Sequence, residues 1–426
     1  MRQIWFNRVT ELLPKVEPVH IFCIDSVEKE LDNSAKIVIT SYGYLKPLFK
    51  MFKKFEFGTV IIDQSHYIKE FRAERTRALI ALCKNVKRAI LIDGSPALNN
   101  PRELYTQLRI IDPNFMYFST YAFRYCAGEL VGGCLFANGA TNCEELNVLL
   151  HKKFMTRHTK AEYDGYLTNK LREQIILDVR LNQRDRINLE MHHLKYAREP
   201  GDLFKYYALT AEFKIEQVCS YVEDFLQISA DKFIVFAYHQ VMLNALSDLL
   251  SNLDVEFIRV DSGCNLKDDL VYRFQRDTEC RAAILSLNTC ATGFNLTAAK
   301  TVIFAELAYS PEIMQQAEGR VHRVGQEGDV EVKYLCAEGT LDNHLWYGIL
   351  KKQEILNTIG IDDDDIELNF IASRHVYQEP RIDENMIINE DDSDDDVVQP
   401  VQLLRKRRTL SSDDEEDTNK FHKIII

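Results

Sequence analysis

No two of the ten cysteines (positions 23, 83, 126, 134, 143, 219, 264, 280, 290 and 336) form a CxxC pair, and no histidine cluster accompanies them at ligand spacing. Neither a zinc site nor a disulfide framework is therefore indicated, and reduced thiols are expected. No apolar run approaches the roughly 18 residues that span a bilayer, and Met1-Arg2-Gln3-Ile4-Trp5 does not open into a signal-peptide core, so a membrane is not an expected partner. A basic excess is missing as well: 65 acidic side chains stand against 52 basic ones, a net charge of −13. The acidity is local. Residues 361–426 hold 19 acids and 8 bases, leaving 46 against 44 in residues 1–360, so the body is near neutral and can still carry a basic groove for nucleic acid.

What is present is a chain of 426 residues, 46% hydrophobic, enough for two or three packed domains. Short β-branched, apolar runs recur at 36–42, 59–63, 88–94, 233–238, 257–261, 282–287 and 301–307. Nearly continuous apolar strands of this length predict coverage on both faces. Between them, apolar residues at three- and four-residue spacing predict helices over 103–111, 212–228, 241–253 and 342–356. The alternation predicts α/β architecture with parallel sheets. The strands fall into two groups, separated by a middle segment with no strong strand signal, which predicts two lobes and a helical insert. From Ile361 onward, Asp and Glu runs with few apolar residues predict disorder. Within that tail Arg405-Lys406-Arg407-Arg408 reads either as counter-charge or as a nuclear import signal, and the acidic runs offer a surface for a protein partner.

Three constellations carry chemistry. Val60-Ile61-Ile62-Asp63-Gln64-Ser65-His66 is an apolar strand ending in an acid; at the carboxyl end of a parallel strand such an Asp points into the crevice where nucleotides sit and can hold magnesium through a water. Leu91-Ile92-Asp93-Gly94-Ser95-Pro96-Ala97 is a second strand ending in a tight loop. Gln315-Gln316-Ala317-Glu318-Gly319-Arg320-Val321-His322-Arg323-Val324-Gly325-Gln326 is the strongest signal. On a helix Gln316, Arg320 and Arg323 would share one face, so that two guanidinium groups could reach a single polyphosphate. Lys84, Lys87 and Arg88, and the run His151, Lys152, Lys153, Arg157, His158 and Lys160, are candidate phosphate-backbone contacts, although each group also reads as an ordinary solvated face. Trp5 and Trp346 are expected in cores.

DQSH, DGSPALNNPRELYTQL, ILSLNTCATGFNLTAAKTVIFAEL and QQAEGRVHRVGQ, in this order and spacing, resemble motifs II, III, V and VI of the sucrose-non-fermenting (SWI/SNF) branch of superfamily-two helicase-like ATPases. The phrases HYIK, AFRYC, FAELAYSP and GTLDNHLW resemble its annealing-helicase, HepA-related group, which rewinds DNA at stalled forks. The likeness covers about residues 1–357. It implies two RecA-like lobes: a partial first lobe over 1–165, a helical linker over 166–230, a second lobe over 231–360, and an acidic tail over 361–426. By this resemblance Asp63 is the magnesium-ordering acid, and Gln64 stands where the family has its water-activating Glu. Gly94, Ser95 and Pro96 match the segment coupling ATP state to DNA, with Asp93 in place of Ser or Thr. Ser286 and Gly293 fall in motif V near nucleotide and DNA, with Thr289 where a small Ala is common. Gln316, Arg320 and Arg323 meet the nucleotide, Arg323 as the finger on the γ-phosphate. Given the resemblance, Ser95, Ser286, Lys152, Lys153, Arg157 and Lys160 become contacts to forked or branched DNA.

No GxxxxGK[ST] occurs in the 426 residues. The family needs such a glycine-rich loop to cradle the β- and γ-phosphates, and the sequence resembles a member beginning just before motif Ib. The resemblance thus implies ATP and magnesium as cofactors of intact relatives and none tightly bound to this chain alone. The implied function is that of a nuclear DNA-dependent ATPase or annealing helicase in fork restart and repair, inactive by itself. The alternative is a non-catalytic remnant that binds DNA or protein.

Overall fold

The computed structural model describes residues 2–28, 31–159, 162, 167–179, 200–264, 266–289, 294–362, 370–375 and 423–425. Two parallel sheets organise it. The first contains β1 (Ile21–Cys23), β2 (Ile37–Ile39), β3 (Phe57–Asp63) and β4 (Arg88–Ile92). A hairpin of β5 (Glu129–Val131) and β6 (Cys134–Phe136) follows, turning at Gly132 and Gly133. The second sheet contains β7 (Lys170–Leu177), β8 (Phe233–Ala237), β9 (Phe257–Val260), β10 (Ala282–Ser286), β11 (Thr301–Phe304), β12 (Val330–Ala337) and β13 (Phe370–His375). Its order is β13-β7-β12-β11-β8-β10-β9. The last strand of the chain, β14 (Lys423–Ile425), returns to the first sheet, whose order is β1-β2-β14-β3-β4.

All seven apolar runs of the sequence are strands, and the second sheet shows why the runs are continuous. Ile234, Phe236, Leu285, Val302 and Phe304 point into one core; Phe233, Val235, Ile284 and Ile303 point into another. With every residue of β8, β10 and β11 buried, both faces need apolar side chains. Each fully buried Val, Leu, Ile or Phe contributes on the order of 1.5–3 kcal/mol. The long helix Pro200–Ile228 and the helices Gln240–Asn252 and Leu341–Ile359 cover these faces. Trp346 is in this core, its ring 5.1 Å from that of Tyr334 and tilted by 52° to it.

The first sheet departs from the two-faced expectation. One face packs Val38, Val60 and Ile62 against Phe52, Leu79 and Ile110. The other is covered at β1 and β2 by the helix Arg2–Leu12, where Trp5 is only partly buried. At β4, Ile90 and Ile92 are 45% and 42% exposed, because no element among the described residues covers them. The middle segment differs too: β7 pairs along its whole length with β12. Its charged residues hid it, since Arg172 is not solvated but buried in an ion pair. Of the tail, Phe370–His375 and Lys423–Ile425 are strands, and 376–422 lie outside the described residues.

A third core joins the two lobes. Residues 97–155 fold into short helices whose apolar side chains, among them Leu104, Leu108, Tyr121, Leu146 and Leu150, enclose Leu356, Ile359 and Ile361 from the end of the helix Leu341–Ile359. Asn147 donates to the Thr358 carbonyl at 3.1 Å and Arg157 to the Gly360 carbonyl at 2.8 Å.

Candidate functional site

Strand β3 ends at Asp63 and hands the chain to Gln64, which takes the left-handed conformation (φ 56°, ψ 59°) although it is not glycine. Tyr42 holds this turn from outside, its hydroxyl donating to the carbonyls of Asp63 (2.8 Å) and Gln64 (3.2 Å). Burial, with the Asp93 and Asp63 charges nearby, pushes that hydroxyl far above the usual phenol range, so it remains a donor. The turn aims Ser65 and His66 at Asp93, the first residue of the loop after β4. The Asp93 carboxylate accepts from the His66 N–H (2.7 Å), His66 Nδ1 (3.0 Å) and the Ser95 N–H (3.0 Å), with Ser65 Oγ at 3.1 Å. Gln107, buried, lies 2.7 Å from Ser65 Oγ and donates to the Pro96 carbonyl. Asp93 thus binds the turn after β3 and the loop after β4 into one hub.

The opposite wall comes from the second lobe. Helix Pro311–Glu318 begins with Pro311, whose missing N–H is harmless in a first turn. It presents Glu312 toward His66, Oε1 to Nδ1 3.9 Å, with side chains 3% and 12% exposed. Ser310 Oγ reaches the Leu98 carbonyl at 3.3 Å, a further tie between lobes. Burial raises the Glu312 carboxyl to about 7, opposed by His66 and aided by Asp93. Burial pulls the His66 imidazole down, but its bond to Asp93 and the charges of Asp93 and Glu312 more than reverse this and raise it. His66, Asp93 and Glu312 offer ligand atoms within 4.8 Å of one another, a set that could hold a divalent cation. Between the walls lies a cavity of about 1040 Å³ lined by Ser65, Asp93, Ser95, Gln107, Glu312 and Gln316, among others.

The expected helical face of Gln316, Arg320 and Arg323 does not form. The helix ends at Glu318, with Gly319 at the C-cap, and Val321 and His322 beyond it are buried. Glu318 fixes the break. Its carboxylate, 1% exposed, accepts from Arg172 Nη2 at 2.6 Å, Lys170 Nζ at 2.8 Å and the Tyr334 hydroxyl. His322 Nε2 then bonds the Thr168 carbonyl at 2.7 Å. In the turn Arg320 is half-buried, and Arg323 is exposed with Nη1 3.4 Å from the Phe294 carbonyl. Gln316 alone of the three lines the cavity, bonded to Glu312 at 2.5 Å.

Asp63 and Gln64 line a different, smaller cavity of about 200 Å³ with Trp5, Tyr42 and Tyr67; Trp5 Nε1 donates to Asp63 Oδ2 at 2.9 Å. The arginines line neither cavity. As arranged, Asp63, the Asp93–Pro96 loop and the arginine turn come together in neither cavity, so these residues do not fit a magnesium nucleotide. Ser286 is buried at the end of β10. Of the basic run, Lys152 is exposed, Lys153 is paired with Asp112 at 2.6 Å, and Arg157 is spent on Gly360; Gly293 and Lys160 lie outside the described residues. Lys84, Lys87 and Arg88 are exposed. Sequence reasoning passed over Glu312, Glu318 and Gln107, although Glu318 lies within the strongest motif, Gln107 within DGSPALNNPRELYTQL, and Glu312 three residues before the former.

A profile of the SNF2-related domain matches residues 1–219, and one of the helicase conserved C-terminal domain matches residues 214–325. The chain belongs to the SNF2-related family. This SNF2-related chain is 38% identical over 376 residues to the SWI/SNF-related matrix-associated actin-dependent regulator of chromatin subfamily A-like protein 1 of Drosophila melanogaster, covering 86% of this chain and 50% of that protein. It is 32% identical over 375 residues to the homolog of that protein in Caenorhabditis elegans, covering 84% and 54%. It is 32% identical over 380 residues to the human DNA annealing helicase and endonuclease ZRANB3, covering 83% and 35%. The SNF2-related chain therefore spans about half or less of the length of these relatives.

Proposed function

We propose that this chain is the two-lobed DNA-tracking module of an annealing-helicase-type protein, nuclear, acting on forked or branched DNA in fork restart and repair, and that alone it does not turn over ATP. One observation carries the reading: the motif II and III hub faces the helix leading into motif VI across a single cavity and touches it through His66 and Glu312. An interlobe seam of this kind makes the position of one lobe sensitive to the other. The relatives' names supply the DNA and annealing half of the proposal. ATP and magnesium belong to intact relatives; here Asp63 and Gln64 are separated from the arginine turn, and Gln64 cannot take a proton from water as a carboxylate can.

Backbone binding makes affinity fall steeply with salt. Forked DNA should be released between about 50 and 200 mM salt, and Lys152→Ala should weaken binding on all sequences and lower the salt slope by about one. Lys153→Ala should do less, because Asp112 already neutralises it. Salt-independent binding would overturn the groove. A second reading, a pseudo-ATPase remnant that binds DNA or protein, is favoured by the Asp93 hub. A DNA-stimulated ATPase assay bears on both: turnover by the unmodified chain, abolished by Arg323→Ala, would remove the inactive-alone reading and the remnant together.

A further inference from the structure

The first sheet is assembled from the two ends of the chain. Strands β2 and β3 follow each other in sequence, yet they do not pair; β14, from the far end, lies between them and runs parallel to both. Ile424 and Ile425 stand opposite Ile37 and Val38 on one side, and Lys423, Ile424 and Ile425 opposite Phe57, Thr59 and Val60 on the other, with one irregularity between Lys423 and Ile424. Neighbouring strands are about 4.8 Å apart, so with the slot empty β2 and β3 would face each other across twice that distance and could not exchange hydrogen bonds. The residues lining it are interior ones: Ile37, Val38 and Ile39 are 2%, 0% and 0% exposed, and Val60 is 1% exposed. Backbone groups so buried need a partner, and water is excluded.

We propose that the gap between β2 and β3 is a strand-binding slot, filled exchangeably by the chain's own Lys423–Ile425, and that this segment governs whether the first sheet is complete. Three residues of ladder form a short grip, and residues 376–422 tether them, so occupancy depends on effective concentration as in other strand-addition sites. The slot accepts an extended, proline-free, apolar segment running parallel to its neighbours; the C-terminal segment Phe421-His422-Lys423-Ile424-Ile425-Ile426 has that character. Strand β3 is also the element that delivers Asp63 and positions the Ser65 and His66 hub. Release of the tail therefore loosens motif II directly.

Hydrogen exchange with mass spectrometry tests this on the intact chain. The C-terminal peptide should show protected amides at Lys423–Ile425, and exchange there at the rate of an unstructured peptide would overturn the proposal. A chain ending at Lys420, and separately the full chain with Ile424→Pro, should lose at least about tenfold in protection at 37–39 and 59–62 while 233–237 and 301–304 are unchanged. Adding the peptide of residues 419–426 to the shortened chain should restore protection saturably, and the same peptide with Ile424→Pro should not. Unchanged protection of β2 and β3 in both variants, or equal rescue by both peptides, would refute it.

Discussion

Replacing Glu318 by Ala tests the account of the arginine turn. Its carboxylate is 1% exposed and serves Arg172 (3%), Lys170 (9%) and Tyr334. Truncation takes from two buried cations the carboxylate they share, and breaking a buried pair from one side costs about 3–5 kcal/mol. For a unit of 150–250 residues each kcal/mol lowers Tm by about 2–4 °C, so a fall of roughly 6–20 °C in the second lobe is expected. Trp346, packed on Tyr334, reports on that lobe, and a Trp5→Phe background silences the other tryptophan. Urea unfolding followed at Trp346 gives the free energy, and Arg172→Ala, alone and combined with Glu318→Ala, closes a double-mutant cycle. Coupling of about 2 kcal/mol or more is expected, because the second truncation removes the charge the first one orphaned. The His322 amide, bonded to the Glu318 carbonyl at 2.8 Å, should exchange faster in Glu318→Ala. A loss under about 1 kcal/mol, or additive single effects, would refute the view that this cluster fixes where the helix ends.

Other predictions follow from the seam between lobes. Glu312 holds its proton to about 7 in the fold against 4.5 as a free side chain, so the fold binds the extra proton and its contribution falls as pH rises from about 4.5 through 7. His66, also raised, loses its contribution as pH rises through its folded value, in the same direction. Glu312→Gln should flatten the decline in urea-unfolding free energy between about pH 5 and 7; a steeper decline would contradict the burial argument. Gly360→Ala should cost about 1–3 kcal/mol by thermal unfolding, since φ is +77° and a Cβ would meet Asn147 at 2.7 Å and His151 at 2.8 Å. Gln64→Gly should gain up to about 1 kcal/mol by relieving the left-handed turn, and no gain would mean the side chain compensates for it.

Much of the scaffold was legible because the second lobe buries both sheet faces, which forces unbroken apolar runs. Strands with one polar face were not: β12 reads VEVKYLCA, where Glu331 and Lys333 interrupt the run, and β7 reads KLREQIIL. Their charges are satisfied across strands, Lys333 to Glu173 at 3.1 Å, a pairing between positions 160 apart that no local pattern announces. The arginine face failed for a related reason. Helical spacing was extended through Gly319, whereas the helix stops at Glu318, a buried acid tied to β7. The basic run was legible as charge but not as availability, since Asp112 and Gly360 claim two of its members. Strand β14 fell in the tail expected to be disordered; its place depends on a gap in a sheet built elsewhere.

The shared core around Leu356, Ile359 and Ile361 sets the mechanics of the whole molecule. Pulling the lobes apart would strip three large side chains from their pocket, at on the order of 1.5–3 kcal/mol each. The bonds from Asn147 and Arg157 would go with them. The seam at His66 and Glu312 is held by that 3.9 Å contact and by the Ser310 hydroxyl, 3.3 Å from the Leu98 carbonyl. Opening should start at that lightly fastened side and swing about the Leu356–Ile361 pin, like a book opening from its free edge while the spine stays bound.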